Sequence, residues 1–343
     1  VSTRSPYVAK TAKVPTRGAG PALALGLGVA AIAVLFLIDA FAPGLLPGSA
    51  PGRLQDGLTL ALSVLIESLP FVALGVALSI LVQVWVPAGV LERWMPRRAW
   101  ARRAVLSLLG IVIPVCECGN VPFARGLLMR GFTVSETLTF LIAAPIVNPI
   151  VIITTHQAFG FSDGVLIARL VGGFVVANLI GWLYSRHPSP DALLTDRFRD
   201  TCTVVAGETG GRGRRSLAQL VVEFRAVMPA LVIGSALAGA VQVLVPRDAL
   251  LAIGSNPLLS IVAMMALAMV VSICSNVDAF FALSFAATFT PGSIVAFLVT
   301  GPLVDVKMIA LLRTTFTTRA LVGVVAVVLL FAFALGTVVN LLA

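Results

Sequence analysis

Three cysteines, four carboxylates and three asparagines interrupt segments that are otherwise apolar. Cys116-Glu117-Cys118-Gly119-Asn120 lies between Pro114 and Pro122, and Cys274-Ser275-Asn276 stands in the other half of the chain. Thiolates are preferred ligands for soft ions, and trivalent arsenic shares that softness. Cys116, Cys118 and Cys274 are therefore candidate ligands for a soft ion or metalloid, provided the fold brings two or three of them to one point. The structural alternative is that each buried cysteine acts as a small hydrophobe. Cys202, in a polar stretch, is assigned no role.

The amides and carboxylates form matched pairs. Asn120 and Asn276 follow Cys118 and Cys274 at the same distance. Each is placed to cap free backbone N–H groups of a following helix; alternatively, two positive helix ends there would face an anionic solute. Asn148 and Asp305 each follow, by three residues, a proline expected to break its helix. An ionisable group inside a membrane segment is by default a functional candidate. Asp305, Asp278, Glu67 and Glu117 are thus candidates for proton coupling. Lys307 is an alternative neutralising partner for Asp305, although residues two apart on a regular helix do not face each other. Glu117, between two thiols, disfavours thiolate formation unless Arg125 or another cation offsets it. Arg130 reads as topological charge at the foot of a hairpin.

The surrounding elements must be membrane helices. Hydrophobic residues make up 59% of the 343 residues, and charged residues only 11%. Soluble domains carry about 25% charged residues, so this chain cannot coat a globule. Several apolar runs reach the roughly 20 residues that a bilayer-spanning helix needs. Lipid forbids unpaired backbone groups, which leaves helices or a closed barrel, and long continuous apolar runs exclude the barrel. The net charge of +9 sits in short loops, as the positive-inside bias requires, so it does not point to nucleic acid. Four scattered cysteines exclude a disulfide scaffold.

Apolar segments are predicted at 21–42, 58–86, 104–130, 134–157, 164–185, 226–246, 257–290, 293–312 and 319–342. The run at 21–42 follows basic residues and ends in Ala40-Phe41-Ala42, which resembles a cleavable signal; its length favours an uncleaved helix. The interval 186–225, with GETGGRGRR, reads as a flexible linker. The halves on either side match: Pro70 with Pro229, VQVWVP with VQVLVP, Cys118-Gly-Asn120 with Cys274-Ser-Asn276, and Ala144-Pro145-Ile-Val-Asn148 with Gly301-Pro302-Leu-Val-Asp305.

Charge orients the halves. Arg93, Arg97, Arg98, Arg102 and Arg103 place one loop inside, whereas the equivalent second-half loop has only Arg247 beside Asp248. The linker, with seven arginines, belongs inside. These assignments agree only if each half crosses an odd number of times, so 104–130 and 257–290 are predicted to return to the side they enter from. The expected fold is an all-α polytopic membrane protein, an inverted structural repeat with two re-entrant or broken helical hairpins. Its divisions are a cytoplasmic tail (1–20), a first helix and outer loop (21–57), repeat 1 (58–185), a cytoplasmic linker (186–225) and repeat 2 (226–343), with the C-terminus outside. Inverted repeats with broken helices are a transporter architecture, in which irregular backbone lines a cavity.

PVCECGNVPFA, together with CSNVDAFFALSF and FLVTGPLVDVKMI, resembles the paired signatures of the ArsP/YraQ-type permease family, and the similarity runs over residues 58–320. The resemblance implies an inner-membrane permease; its characterised branch exports trivalent organoarsenicals such as methylarsenite by means of cysteine thiols. Glu117 and Asn120 depart from what that branch leads one to expect.

No Walker motif, CxxCH or HExxH occurs, and no soluble domain is long enough to hydrolyse a nucleotide. The expectation is a proton-coupled secondary permease, not an enzyme, with no cofactor, whose partners are a small solute or metalloid and the bilayer. Its rivals are a permease for another solute, such as an oxyanion or metal ion, and a membrane thiol-redox protein.

Overall fold

The structure, a computed structural model, describes residues 52–87, 90, 93, 95–161, 164–207, 211–244 and 256–342. The expected first helix at 21–42, the N-terminal tail and the Arg247 loop lie outside these residues. Among the described residues every element is helical, apart from one isolated bridge between Leu194 and Phe316.

In the first half run α1 (Gly52–Ile80), α2 (Ala99–Val112), α3 (Glu117–Met129), α4 (Val134–Val147), α5 (Pro149–Phe159) and α6 (Val165–Ser185). The stretch expected as a flexible linker instead carries a 3-10 turn at Pro190–Leu193 and α7 (Asp196–Gly207), and α8 (Arg212–Leu244) begins inside it. Then follow α9 (Pro257–Val271), α10 (Asp278–Leu283), α11 (Pro291–Val304), α12 (Val306–Leu312) and α13 (Thr318–Leu342).

Among the described residues, five helical stretches are long and apolar enough to cross a bilayer: Gln55–Trp85, Val165–Ser185, Arg212–Val243, Pro291–Leu312 and Thr318–Leu342. The pair α4–α5, bent by 40°, makes a sixth if counted as one span. The helices flanking the two thiol-bearing breaks have 14, 13, 15 and 6 residues. At about 1.5 Å per residue the longest reaches ~23 Å, short of a ~30 Å hydrocarbon core.

Two helices form the centre. Every residue of α4 is buried, as is every residue of α11 from Gly292 to Val304; a helix apolar all round belongs inside a bundle. α4 packs on α2 and α6, and α11 on α9 and α13. α1 packs on α3 and α8. The outer faces expose Ile153, Val171, Ile233, Val322 and Leu330, which suits lipid.

Local chemistry sets the breaks. Pro114 has no N–H to donate and disfavours helical geometry at Ile113, and α2 stops there. A capping box starts α4: Thr133 Oγ1 accepts from Glu136 N, and Glu136 Oε2 from Thr133 N at 2.9 Å, which satisfies two free donors. Pro145 and Pro302 were expected to break their helices, yet both lie inside α4 and α11. The chain breaks three residues later, at Asn148 and Asp305. Each has extended backbone and caps the next helix, accepting from Ile150 N at 3.0 Å and Met308 N at 2.5 Å.

Candidate functional site

The first wall of the site is the start of α3. Cys116 is its N-cap, with φ −68° and ψ 171°, and its carbonyl accepts from the N–H groups of Gly119 and Asn120. α3 is seated against α1 at a glycine pair. A Cβ on Gly75 would lie 2.0 Å from the Gly119 carbonyl oxygen, and one on Gly119 would lie 2.3 Å from the Phe71 carbonyl oxygen. Only small residues permit backbones to approach this closely.

The second wall comes from the break after α9. Ser272 takes the left-handed conformation at φ 50°, and the Cys274 carbonyl accepts from Val277 N and Asp278 N. The two breaks meet. Cys116 Sγ, a Glu117 carboxylate oxygen and Cys274 Sγ lie within 4.8 Å of one another, all three residues buried. Their cysteines are free thiols. A soft ion sits about 2.3 Å from a thiolate, so donors this far apart can share one centre with small side-chain adjustments.

Cys118 lies beside Cys116, close enough for the two thiols to interact, and its thiol also donates to Ser68 Oγ on α1 at 3.5 Å. Cys116 is the extended N-cap residue, so helical spacing does not force the two side chains apart. Sequence reasoning singled out Glu67, which is exposed, and missed its buried neighbour Ser68.

Glu117 is held by a hydroxyl and an ammonium. Oε2 accepts from Ser275 at 2.9 Å, and Oε1 faces Lys307 Nζ at 3.5 Å. The cation that offsets this carboxylate is thus Lys307, not Arg125. Lys307 is 2% exposed and belongs to the site; its direct ion pair is with Glu117, while Asp305 caps α12 and feels the Lys307 charge from beyond salt-bridge distance. Asp305 Oδ2 is left without a hydrogen-bond partner.

The asparagines divide. Asn120 lies one turn inside α3 and does not cap it, because the helix already starts at Glu117. Its Nδ2 donates to the Val115 carbonyl at 3.4 Å, and Asn148 Nδ2 donates to the same oxygen at 3.4 Å. Two amides thus bind one carbonyl of the break between α2 and α3. The Oδ1 atoms of Asn120 and Asn276 are buried without partners.

Two further ion pairs are buried nearby. Arg169 on α6 grips Asp278 at 2.6 and 3.0 Å and donates to Thr155 Oγ1 at 2.8 Å. Arg125 on α3 donates to Glu223 on α8 at 2.7 Å. With Glu117–Lys307, all three pairs join the first half of the chain to the second.

Apolar spans surrounding a buried polar centre, with helices interrupted at that centre, define a multi-pass membrane protein of the permease type. The chain belongs to the ArsP_1 family, described as predicted permeases, whose match covers residues 53–341. It is 37% identical over 258 residues to the UPF0718 protein YcgR of Bacillus subtilis (strain 168), covering 75% of this chain and 88% of that protein. It is 34% identical over 273 residues to a putative two-component membrane permease complex subunit of Streptococcus mutans serotype c (strain ATCC 700610 / UA159), covering 78% and 90%. No solved structure matches.

Proposed function

We propose that this permease is a secondary transporter of the plasma (inner) membrane that exports a soft, thiol-reactive solute. Trivalent organoarsenicals such as methylarsenite are the leading candidate, by resemblance to the arsenical branch. The observation that carries the reading is the meeting of Cys116 and Cys274, from opposite halves, beside one carboxylate. Cys118, beside Cys116 and hydrogen-bonded to Ser68, supplies a third thiol. Asn120, Asn276 and Asn148 are the polar groups proposed to line the solute's place.

Ligation of a trivalent arsenical exchanges each thiol proton and an arsenic-bound hydroxide for an As–S bond and a water, so it releases no net proton, whereas a bare soft cation displaces the thiol protons themselves. The proposed link to the proton gradient therefore runs through carboxylates that carry protons to and from the thiols as they exchange. Asp305, with a free carboxylate oxygen, and Glu117 are the carboxylates best placed to relay them; Asp278 is engaged by Arg169, and Glu67 is exposed. The inverted-repeat reading belongs here too. It is supported by the parallel packing of α2·α4·α6 and α9·α11·α13, and by the shortness of the arms around both breaks. In that topology the N-terminus and residues 186–225 are cytoplasmic, and the C-terminus is outside.

A soft metal ion is the second reading, because the same two thiols and carboxylate satisfy its ligand preferences. Everted vesicles offered methylarsenite, arsenite and copper separate the two. Replacing Cys116, Cys118 and Cys274 together by Ser abolishes accumulation under either reading; full retention refutes the thiol mechanism.

A further inference from the structure

Residues 190–202 are bound to the helical body more firmly than a linker requires. Leu194 forms an antiparallel bridge with Phe316, flanked by Thr195 N to Thr315 O and Thr317 N to Leu193 O, each 2.9 Å. Thr195 Oγ1 donates to Thr314 O at 3.3 Å. α7 then turns one face inward: Phe198 and Cys202, four residues apart and so on one side of the helix, are buried, while Asp196, Arg197, Arg199 and Asp200 face out.

What this face covers is a charge. The Arg125 guanidinium lies 4.8 Å from the centre of the Phe198 ring. Beneath the ring, Arg125 holds Glu223 at 2.7 Å, and Nη1 donates to Thr314 O and Thr315 Oγ1, both 3.2 Å. One buried arginine thereby binds α3, α8 and the turn after α12, with α7 laid over it. The network is incomplete: Arg125 Nη2 and Glu223 Oε1 are buried without partners. A half-satisfied buried network is costly, and water reaching it would supply the missing bonds. Along α3, Arg125 follows Cys118 by seven residues, so its backbone stands about 10 Å along the helix axis from that of Cys118.

We propose that residues 190–202 form a strap that closes the route between the thiol cluster and the linker face of the protein, with Arg125–Glu223 as the catch it covers. Loading or release on that face requires the strap to lift, exposing the catch to water. The proposal rests on the reading of the thiols as the solute's place, but its test needs no solute.

The bridge supplies the test. Leu194 and Phe316 form the pair whose neighbours carry the hydrogen bonds, a geometry with Cα atoms about 4.5 Å apart, within disulfide range. Full-length Leu194→Cys/Phe316→Cys/Cys202→Ser in nanodiscs is oxidised, and closure is checked by mass. A maleimide then labels Cys116, Cys118 and Cys274, mapped by peptide mass. The expected result is labelling at least about tenfold slower than in the same sample after reduction and removal of reductant, since local opening governs access to buried groups. In the chain without the engineered pair, oxidation and reduction leave the rate unchanged. Equal labelling of the crosslinked and reduced forms overturns the proposal, as does a folded, monodisperse triple variant that refuses to crosslink. A failure of methylarsenite to protect the thiols would count against the transport reading alone.

Discussion

Gly75→Ala tests the whole construction of the site with a single methyl group. In the native chain the added Cβ would lie 2.0 Å from the Gly119 carbonyl oxygen, whereas real Cβ contacts essentially never fall under 3.0 Å. The obstacle is backbone, so no side-chain rotation relieves it. α1 and the first turn of α3 must part by about 1 Å, and overpacking of this kind costs about 1–3 kcal/mol. The displaced turn carries Cys116 and Glu117, two of the three donors that meet within 4.8 Å. A shift of about 1 Å is enough to spoil a preorganised ligand set. The assay is equilibrium binding of Cd²⁺, a soft thiol probe, to the purified protein, alongside a thermal shift in detergent. The expected result is a lower Tm and Cd²⁺ affinity reduced by about tenfold or more, the latter worth ~1.4 kcal/mol. Gly57→Ala is the control on the same helix, because its nearest contact is the Val243 side chain at 3.5 Å. If Gly75→Ala keeps both native affinity and native Tm, the close seating of α3 on α1 does not hold the thiols.

Three other outcomes follow from the buried charges and the strap. Arg169→Met strands Asp278 and costs about 3–5 kcal/mol, while Arg169→Met/Asp278→Leu recovers most of it; thermal denaturation of both variants in detergent measures the difference. Lys307→Met leaves Glu117 with Ser275 as its hydrogen-bond partner and lowers the yield of folded protein, and Glu117→Gln in the same chain restores it, as judged by size-exclusion profiles. Burial pushes the Cys202 thiol up from 9.0 to about 12. The folded chain therefore holds that proton more tightly than the unfolded one, and stability falls between pH 9 and about 12. Cys202→Ala removes this part of the fall in Tm, and an unchanged alkaline profile would contradict the buried thiol.

Much of the architecture was legible in the residues, because hydropathy and charge are local. Apolar length marks α1, α6, α8 and α13, and the paired Cys-x-Asn motifs mark where the two chain halves carry polar breaks. What the sequence hides is partner choice. Periodicity fixes which side of a helix a residue leaves, but not which distant helix meets it, so Glu117 finds Lys307 when Arg125 was the nearer cation along the chain. Helix starts were displaced for a similar reason. Asn120 looked like a cap because amides favour caps, but the Cys116 carbonyl already takes the first helical bonds. The stretch 186–225 looked flexible because of its seven arginines and the polar run GETGGRGRR. The short amphipathic pattern of Phe198 and Cys202 was the signal that part of it folds down.

The order in which the ribosome makes the ion pairs has its own consequence. Glu117, Arg125 and Arg169 emerge with the first half of the chain, and their partners follow 190, 98 and 109 residues later. Until then an anion and two cations wait unpaired among newly inserted helices, each at a cost of roughly 2.5–3.5 kcal/mol near the bilayer centre. Biogenesis must therefore shelter a half-made protein, and a chain truncated after α7 should be a substrate for membrane proteolysis rather than a stable fragment. Late arrivals such as Lys307 then act as checkpoints of completion, since only the finished polypeptide neutralises what was inserted first.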